Sequence, residues 1–528
     1  MRGLTFVSRL VLSAAVIGLI LVAPAAAKKP PKPAPAPPPS TSNLYVKSYA
    51  SVVDGKKCSM TPEAVVATSD GGSALLALSD RPSSLASESC SGVNWLVKLD
   101  AFGNAQWQRS VGCFNLPPGS YSYGVSLQQT VDGGYVLGGG TLGCGSDALC
   151  PFLSGRQCAF VEKLDATGNL VWARVYASGA NDRDNGFWEI RQTSDGGFVG
   201  VGQYRNDDGV GAWTLKLDSQ GNVQWQQKLG PAGRTYAYLD AVRPTADGGY
   251  VAAGRLAPLS TCQFSHGCGW GVLVVKLRAD GSVDWQRGFN SFDSSGAPTA
   301  SESVESVIQA SDGGYLVAGT WGGDATVHGE FRQGPLLLKL DATGSSEWQK
   351  VYSAGVHCFF GVIGRQCAAI GGLGYSVQQT SDGGYAFAGA GHVRFTDSVP
   401  LVPSLTKTDA SGNLLWQHFY YETYPSTGRT LSQYFASSAL TSDGGHLAVG
   451  FTENPGDFAG ELFAVRTDSG GRAGSCSQIH PATPVTVVDP GLAAFDPGLP
   501  VHANAAVQGN SPSTTQATSL SSTTGGGC

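Results

Sequence analysis

Charge is scarce in this sequence. Asp, Glu, Lys and Arg make up 14% of its 528 residues, while Gly alone contributes 73. That balance excludes long, salt-bridged surface helices and points to many short strands joined by tight turns. No run of Lys or Arg appears, and the formal net charge is -6, so nothing offers the cationic stripe that neutralises phosphates; nucleic acid is excluded as a partner. Beyond the first 27 residues no stretch approaches the roughly 20 apolar residues a membrane helix needs. Nucleophile and metal-hydrolase motifs are missing too: there is no G-x-S-x-G, no H-E-x-x-H and no C-x-x-C-H, and the eight His are scattered.

The ends of the chain read as segments outside a fold. Arg2 and Arg9 precede an apolar run from Leu10 to Val22, and Ala25-Ala26-Ala27 supplies a small-residue cleavage site, so residues 1–27 read as a secretory signal peptide. Residues 28–42 form a Pro-rich linker. Residues 476–502 form a C-terminal extension, and 503–528, rich in Ser, Thr and Gly, read as a disordered tail. An exported chain with twelve Cys is expected to be disulfide-bonded, secreted or displayed at the cell surface.

Between the ends, two elements alternate. T-x-D-G-G occurs around Asp70, Asp132, Asp195, Asp247, Asp312, Asp382 and Asp443, at intervals of 52 to 70 residues. K-L-D-x-x-G-N-x-x-W follows it, ending at Trp107, Trp172, Trp225, Trp348 and Trp416, with a variant ending at Trp285 that has Arg278 in the Asp place. Each repeat reads as four strands. In the second copy these are Gly124–Thr130, Tyr135–Thr141, Phe160–Leu164 and Leu170–Tyr176, with tight turns at Asp132-Gly133-Gly134 and at Asp165 to Asn169. Seven such units predict an all-β fold, a seven-bladed β-propeller of four-stranded antiparallel blades over residues 43–475. The seventh copy lacks its Trp strand. Residues 43–51 resemble that missing strand, with Tyr45 in the Trp place, so the N-terminal strand is expected to close the ring with residues 433–468.

These repeats resemble secreted bacterial and archaeal β-propeller repeat proteins. The D-x-x-G-x-x-x-W spacing is also distantly similar to the tryptophan-docking motif of quinoprotein propellers, and T-S-D-G-G to the Asp-box of sialidase-type propellers. The quinoprotein resemblance implies that Trp107, Trp172, Trp225, Trp285, Trp348 and Trp416 pack between blades. The turn here is one residue shorter than in that family and the adjacent Cys pair is missing; the Asp-box Thr-Trp is missing as well.

Residues present in nearly every blade explain themselves structurally. The Asp accepts backbone N–H bonds in its turn, and the Lys lies along a strand edge or pairs locally. No catalytic residue is assigned. The loops opposite the turns carry what does not repeat, including nearly all the Cys, and there Trp270, Trp321, Phe359 and Phe360 are the candidate ligand-binding anchors. The function expected is a ligand-binding, adhesive or structural module for an extracellular protein or glycan, acting as a monomer without a cofactor. The alternative is an extracellular propeller enzyme, glycosidase- or sialidase-like or quinoprotein-like, with Glu88, Asp147, Asp324 and Glu330 as acidic candidates on the loop face. The two differ on the axis: an enzyme gathers acidic, His or Arg residues there, a binder presents a broad apolar or aromatic loop surface. Calcium at Asp182-Arg183-Asp184-Asn185 or Asp207-Asp208 lacks the ligand count of a calcium loop, and zinc at Cys262, His266 and Cys268 lacks a fourth ligand.

Spacing pairs Cys150 with Cys158, Cys262 with Cys268 and Cys358 with Cys367; Cys58–Cys90 and Cys113–Cys144 follow from proximity on the same face, leaving Cys476 and Cys528 unassigned. Peptide mapping of the exported protein under non-reducing conditions should recover these linked pairs, each contributing about 2–4 kcal/mol and less in the shorter loops. Free thiols at Cys150, Cys158, Cys262, Cys268, Cys358 and Cys367 would contradict both the pairing and the oxidising compartment.

Overall fold

A computed structural model describes residues 45–53, 56–58, 60–79, 94–112, 121–142, 157–179, 182–230, 235–258, 270–290, 300–323, 332–361, 364–371, 374–392, 401–420, 433–452, 461–473, 479–481, 486–488, 493–495, 501–502, 507–510, 516–517 and 520–523. The described elements are all strands, and no helix among the described residues is long and apolar enough to cross a membrane. The segments expected as signal peptide and Pro-rich linker, and the acidic candidates Glu88, Asp147, Asp324 and Glu330, lie outside them.

Among the described residues the strands group into seven four-stranded antiparallel units. In unit two, Tyr121–Gln129, Tyr135–Leu142, Gln157–Leu164 and Leu170–Ala177 pair in sequence order. Unit seven is assembled from both ends of the chain. Gln433–Leu440, His446–Thr452 and Glu461–Thr467 pair in order, and Tyr45–Val53 adds the fourth strand, with Tyr45 opposite Arg466 and Tyr49 opposite Leu462. Units three and four also touch at one parallel bridge, Val210 to Tyr236.

The repeated motifs build the turns. In T-x-D-G-G the first Gly lies in the left-handed region, at φ 81° for Gly71, which a side chain disfavours. The second Gly is fixed by crowding: a Cβ on Gly72 would lie 2.2 Å from the Leu99 carbonyl oxygen. Asp70 Oδ1 accepts from the Gly72 N–H at 3.0 Å, and its other oxygen accepts from Lys98 Nζ at 2.8 Å. The same ion pair joins Lys163 to Asp132, Lys216 to Asp195, Lys276 to Asp247, Lys339 to Asp312 and Lys407 to Asp382; in unit seven, Arg466 takes the place of Lys opposite Asp443. The two sequence motifs are thus each other's partners. Burial raises the Asp carboxyls, but the Lys, the Thr hydroxyl and the Gly N–H outweigh it and hold Asp132 and Asp195 at about 2. The Lys side chains are buried, more so than a strand-edge position implies.

Third strands such as Gly271–Leu277 are buried at every position. Their apolar runs are continuous because a neighbouring unit covers each sheet face. A hydrophobic cluster lies between every consecutive pair of units, and one more joins unit seven to unit one, with Leu447, Val449, Leu462 and Ala464 against Val65, Leu75, Trp95 and Val97. The six motif Trp reach across these boundaries. A Cβ on the turn Gly of the following unit would strike the ring, 2.8 Å from Trp107 at Gly168 and 2.8 Å from Trp348 at Gly412. In units two, five and six a buried Tyr lies four residues after the Trp and its hydroxyl donates to the carbonyl of that Gly: Tyr176 to Gly221 at 2.7 Å, Tyr352 to Gly412 at 2.6 Å and Tyr420 to Gly471 at 2.6 Å. Tyr49, on the N-terminal strand, donates to Gly103 of unit one at 2.8 Å.

The C-terminal extension carries the short strands Ile479–Pro481, Thr486–Val488, Ala493–Phe495 and Val501–His502, and the segment 503–528, expected to be disordered, carries Val507–Asn510, Gln516–Ala517 and Leu520–Thr523, each on the outer edge of a different unit's fourth strand. Composition misses this because the ladder partners come from the units, and no amphipathic pattern is needed on so short a strand.

Truncating Tyr49 to Ala should destabilise the protein by about 3–5 kcal/mol, as for other buried aromatics, and by the same amount as Tyr176→Ala. Denaturant unfolding checks this. A Tyr49→Ala protein unfolding at the wild-type midpoint would show that the contact between units seven and one contributes nothing.

Candidate functional site

The first strand of every unit carries a register shift against its second strand at the residue five positions before the Thr (Ala310 in unit five) of T-x-D-G-G; unit three has a further shift between Arg183 and Gly186. The residues passed over are Glu63, Val125, Trp188, Asp240, Glu305, Tyr375 and Ala436. A bulge inserts a residue without a cross-strand partner and re-aims its side chain. Five of them, Glu63, Val125, Trp188, Asp240 and Glu305, line one cavity of about 680 Å³ to which all seven first strands contribute.

The cavity is polar and unevenly charged. Glu189 receives both Arg191 and Arg243, the latter at 2.5 Å, and its Oε2 accepts from the Val242 N–H at 2.6 Å. Burial raises this carboxyl, but the two guanidinium groups and the N–H bond outweigh it and hold it below its ordinary value. Asp240 accepts from Arg255 Nε and Nη2 at 3.0 Å each, a bidentate pair. Burial is stronger there, and the Asp240 carboxyl is raised despite Arg255. Glu305, from the adjoining unit, has no such clamp. Confinement and the nearby Asp240 charge push it up to about 7 against the pull of Arg255. Its side chain is nevertheless open to the cavity, so solvent there moderates the shift. The Trp188 indole N–H is buried with no hydrogen-bond partner, a donor aimed at nothing in the protein. Gln378 and Ser376 line the opposite wall, where Ser376 Oγ meets Ser438 Oγ at 2.6 Å.

Arg255 links this cavity to one anchor expected from sequence. Its guanidinium lies 5.8 Å from the Trp270 ring centroid and 5.3 Å from that of Tyr238. Trp270 is half-buried against Tyr236 and Tyr238. Trp321 is not an exposed anchor: it is 3% exposed and packed in the core between units four and five, because the second strand continues past Thr320 and turns the ring inward. Phe359 and Phe360 lie in the strand Ser346–Gly361 opposite Gln366 and Arg365; their side chains are outside the described residues. Cys358 stands opposite Cys367 in the same hairpin, and Cys158 is fully buried and disulfide-bonded. Cys90, Cys113, Cys144, Cys150, Cys262 and Cys268 lie outside the described residues, as does the side chain of Cys58. Asp182 and Asp184 are engaged by Lys228 and Arg205 rather than facing one another as calcium ligands.

Sequence reasoning missed Glu63, Glu189, Asp240 and Glu305. The signal was present as a fixed position in the frame whose residue type changes in every copy, Glu, Val, Trp, Asp, Glu, Tyr and Ala in turn.

No family model and no curated protein matches this chain. Among solved structures it is similar to the polysaccharide lyase Uly1, at 8% identity and a TM-score of 0.42, covering 81% of this chain and 98% of that one. It is also similar to a GH43_12 protein from a capybara gut metagenome, at 10% identity and a TM-score of 0.18, covering 80% and 99%. Superpositions this loose assign neither a substrate nor a site.

Neutral Glu305 is favoured in the folded chain, so its contribution to stability is full below the ordinary carboxylate value, about 4.5, and is lost as pH rises through about 7. Glu305→Gln should therefore flatten the dependence of Tm on pH between those limits. An unchanged slope would mean that Glu305 titrates as an ordinary surface carboxylate.

Proposed function

We propose that this chain is an exported, disulfide-bonded, seven-bladed β-propeller that binds a small neutral saccharide in its axial cavity. Ring closure is supported by the Tyr49–Gly103 bond, by the strand Tyr45–Val53 in unit seven and by the hydrophobic cluster joining units seven and one. Export rests on the leader at 1–27, and the pairings Cys150–Cys158 and Cys358–Cys367 rest on the buried Cys158 and on the opposed positions of Cys358 and Cys367.

One observation carries the binding reading: the bulged first-strand position, which reads Glu, Val, Trp, Asp, Glu, Tyr and Ala in successive repeats, delivers Glu63, Trp188, Asp240 and Glu305 into one cavity. Carboxylates accept from sugar hydroxyls, guanidinium groups donate to them, and an aromatic face covers the C–H side of a pyranose. Glu63, Glu189, Asp240 and Glu305 are nearly balanced by Arg191, Arg243 and Arg255, so the cavity favours a neutral ligand over a strongly charged one. The binding surface thereby moves from the loop face, where Trp321 is buried, to the channel, and Trp270 marks its rim. A second reading, cleavage of a glycosidic bond, is favoured by one feature. Glu305 holds a proton near neutral pH beside Asp240, the pairing of acid and base that such a reaction uses.

Saturation-transfer NMR against a panel of neutral, acidic and amino sugars, followed by calorimetry on the hits, tests the proposal. Asp240→Asn and Arg255→Met should each weaken binding of a neutral saccharide about tenfold or more, roughly 1.4 kcal/mol; Arg255→Met also lowers Tm because it strands the buried Asp240 carboxyl. Absence of any sugar binding, or binding indifferent to both variants, would overturn it. Release of reducing ends by wild type and its loss in Glu305→Gln, with binding retained, would establish the second reading.

A further inference from the structure

The C-terminal strands follow a rule. Take in each unit the third residue after the motif Trp, or after Tyr45 in unit seven. The residues facing it are His480 in unit six, Val488 in unit five, Phe495 in unit four, His502 in unit three, Gly509 in unit two, Gln516 in unit one and Thr523 in unit seven. The first step is eight residues and every later one is seven. The sequence carries the same period where it is most regular, in Asp489-Pro490-Gly491-Leu492 and Asp496-Pro497-Gly498-Leu499. Seven extended residues span at most roughly 23–25 Å, a stride that serves one unit and no more. The segment leaves unit seven after Ala473, visits the units in descending order and returns to unit seven, all in equivalent register.

We propose that residues 479–523 are a circumferential strap whose role is to occupy the outer edge of every unit and so keep a second copy of this chain from adding a strand there. Each fourth strand has its third strand on one side only. Its other edge is a row of unpaired N–H and C=O groups, which templates pairing with another chain. Seven such edges on one disc form a belt of adhesive sites, and a second copy offers seven complementary ones. The strap covers them with two to four residues per unit. Strands so short make too little ladder to hold singly and hold together only because they are linked, as multivalent contacts do. Pro484, Pro490, Pro497 and Pro512 fall in the sequence between the strands, and proline disfavours one long continuous strand there.

Proline substitution within the full chain tests this, since it removes a ladder donor without removing the segment. Val487→Pro, Ala494→Pro and Gln508→Pro, combined, should raise amide hydrogen exchange at Val351–Ser353, Gly288–Asn290 and Arg174–Ala177 by tenfold or more. The first strands lining the axial cavity should keep their protection, and the triple variant should self-associate in sedimentation at concentrations where wild type stays monomeric. A peptide of residues 479–523 added in excess should restore the monomer. Unchanged exchange at those three edges would show that the strap does not pair. Raised exchange in a chain that stays monomeric would show that edge shielding is not its role. Both readouts are independent of saccharide binding.

Discussion

Everything in this structure depends on one contact made repeatedly: an aromatic ring on the fourth strand of one unit, laid against a glycine in the second turn of the next. A four-stranded sheet with two apolar faces has no stable existence alone. It needs a neighbour on each face, at a fixed distance and angle. The turn glycine sets both. It has a positive φ, and any side chain there would strike the Trp of the preceding unit, as at Gly168 and Trp107. Where a Tyr lies four residues on, as at Tyr176, Tyr352 and Tyr420, its hydroxyl ties off the carbonyl of the same glycine. A second tie lies near the axis. The Gln before the Thr of the turn motif reaches back to a backbone N–H in the preceding unit, Gln129 to Ser69 at 2.8 Å and Gln379 to Ser311 at 2.8 Å. Hydrophobic burial drives the units together, and these polar contacts select one docking geometry among the many that burial allows.

The parts legible in the sequence are those in which a residue's job is local. Asp-Gly-Gly announces a turn because the chemistry of the turn lies within five residues, and the Trp and Lys recur at fixed offsets from it. The Lys–Asp pairing was less legible, since it joins two motifs some 21 to 31 residues apart. Lys98, expected along a strand edge or paired locally, is buried and caps its own unit's turn.

Two features were hidden for a different reason: they are properties of register. A bulge cannot be seen in one strand; it exists only as a mismatch with the strand beside it. Glu63, Asp240 and Glu305 look like ordinary strand carboxylates until Pro62 and Ala64, Leu239 and Ala241, Val304 and Ser306 are found paired across the gap they leave. The C-terminal strands are hidden likewise. Their residues have no strand pattern of their own, and the order they adopt is borrowed from edges hundreds of residues away. Trp321 fails in the opposite sense. It sits where a loop was expected, but the second strand runs on through Gly323 and carries the ring into the core.

Repetition and function pull against each other in such a chain, and the bulge reconciles them. A residue that must pack the same way in unit after unit cannot also be unique, so the turn Asp, the Lys and the Trp are unavailable for specific chemistry. The bulge residue takes no part in the ladder, and in units one to five it lines the cavity. It varies at little cost to the units around it. The variation is lopsided: Trp188, Glu189 and Arg191 come from unit three, Asp240, Arg243 and Arg255 from unit four and Glu305 from unit five, while Gln128, Ser376, Gln378 and Ser438 line the remainder. A symmetric ring thus encloses an asymmetric field. A ligand on the axis would meet most of the charge on one wall and, apart from Glu63 of unit one, neutral amides and hydroxyls on the other. The favourable position is therefore off-centre, against units three to five, where Arg255 also connects the cavity to Trp270 at the rim.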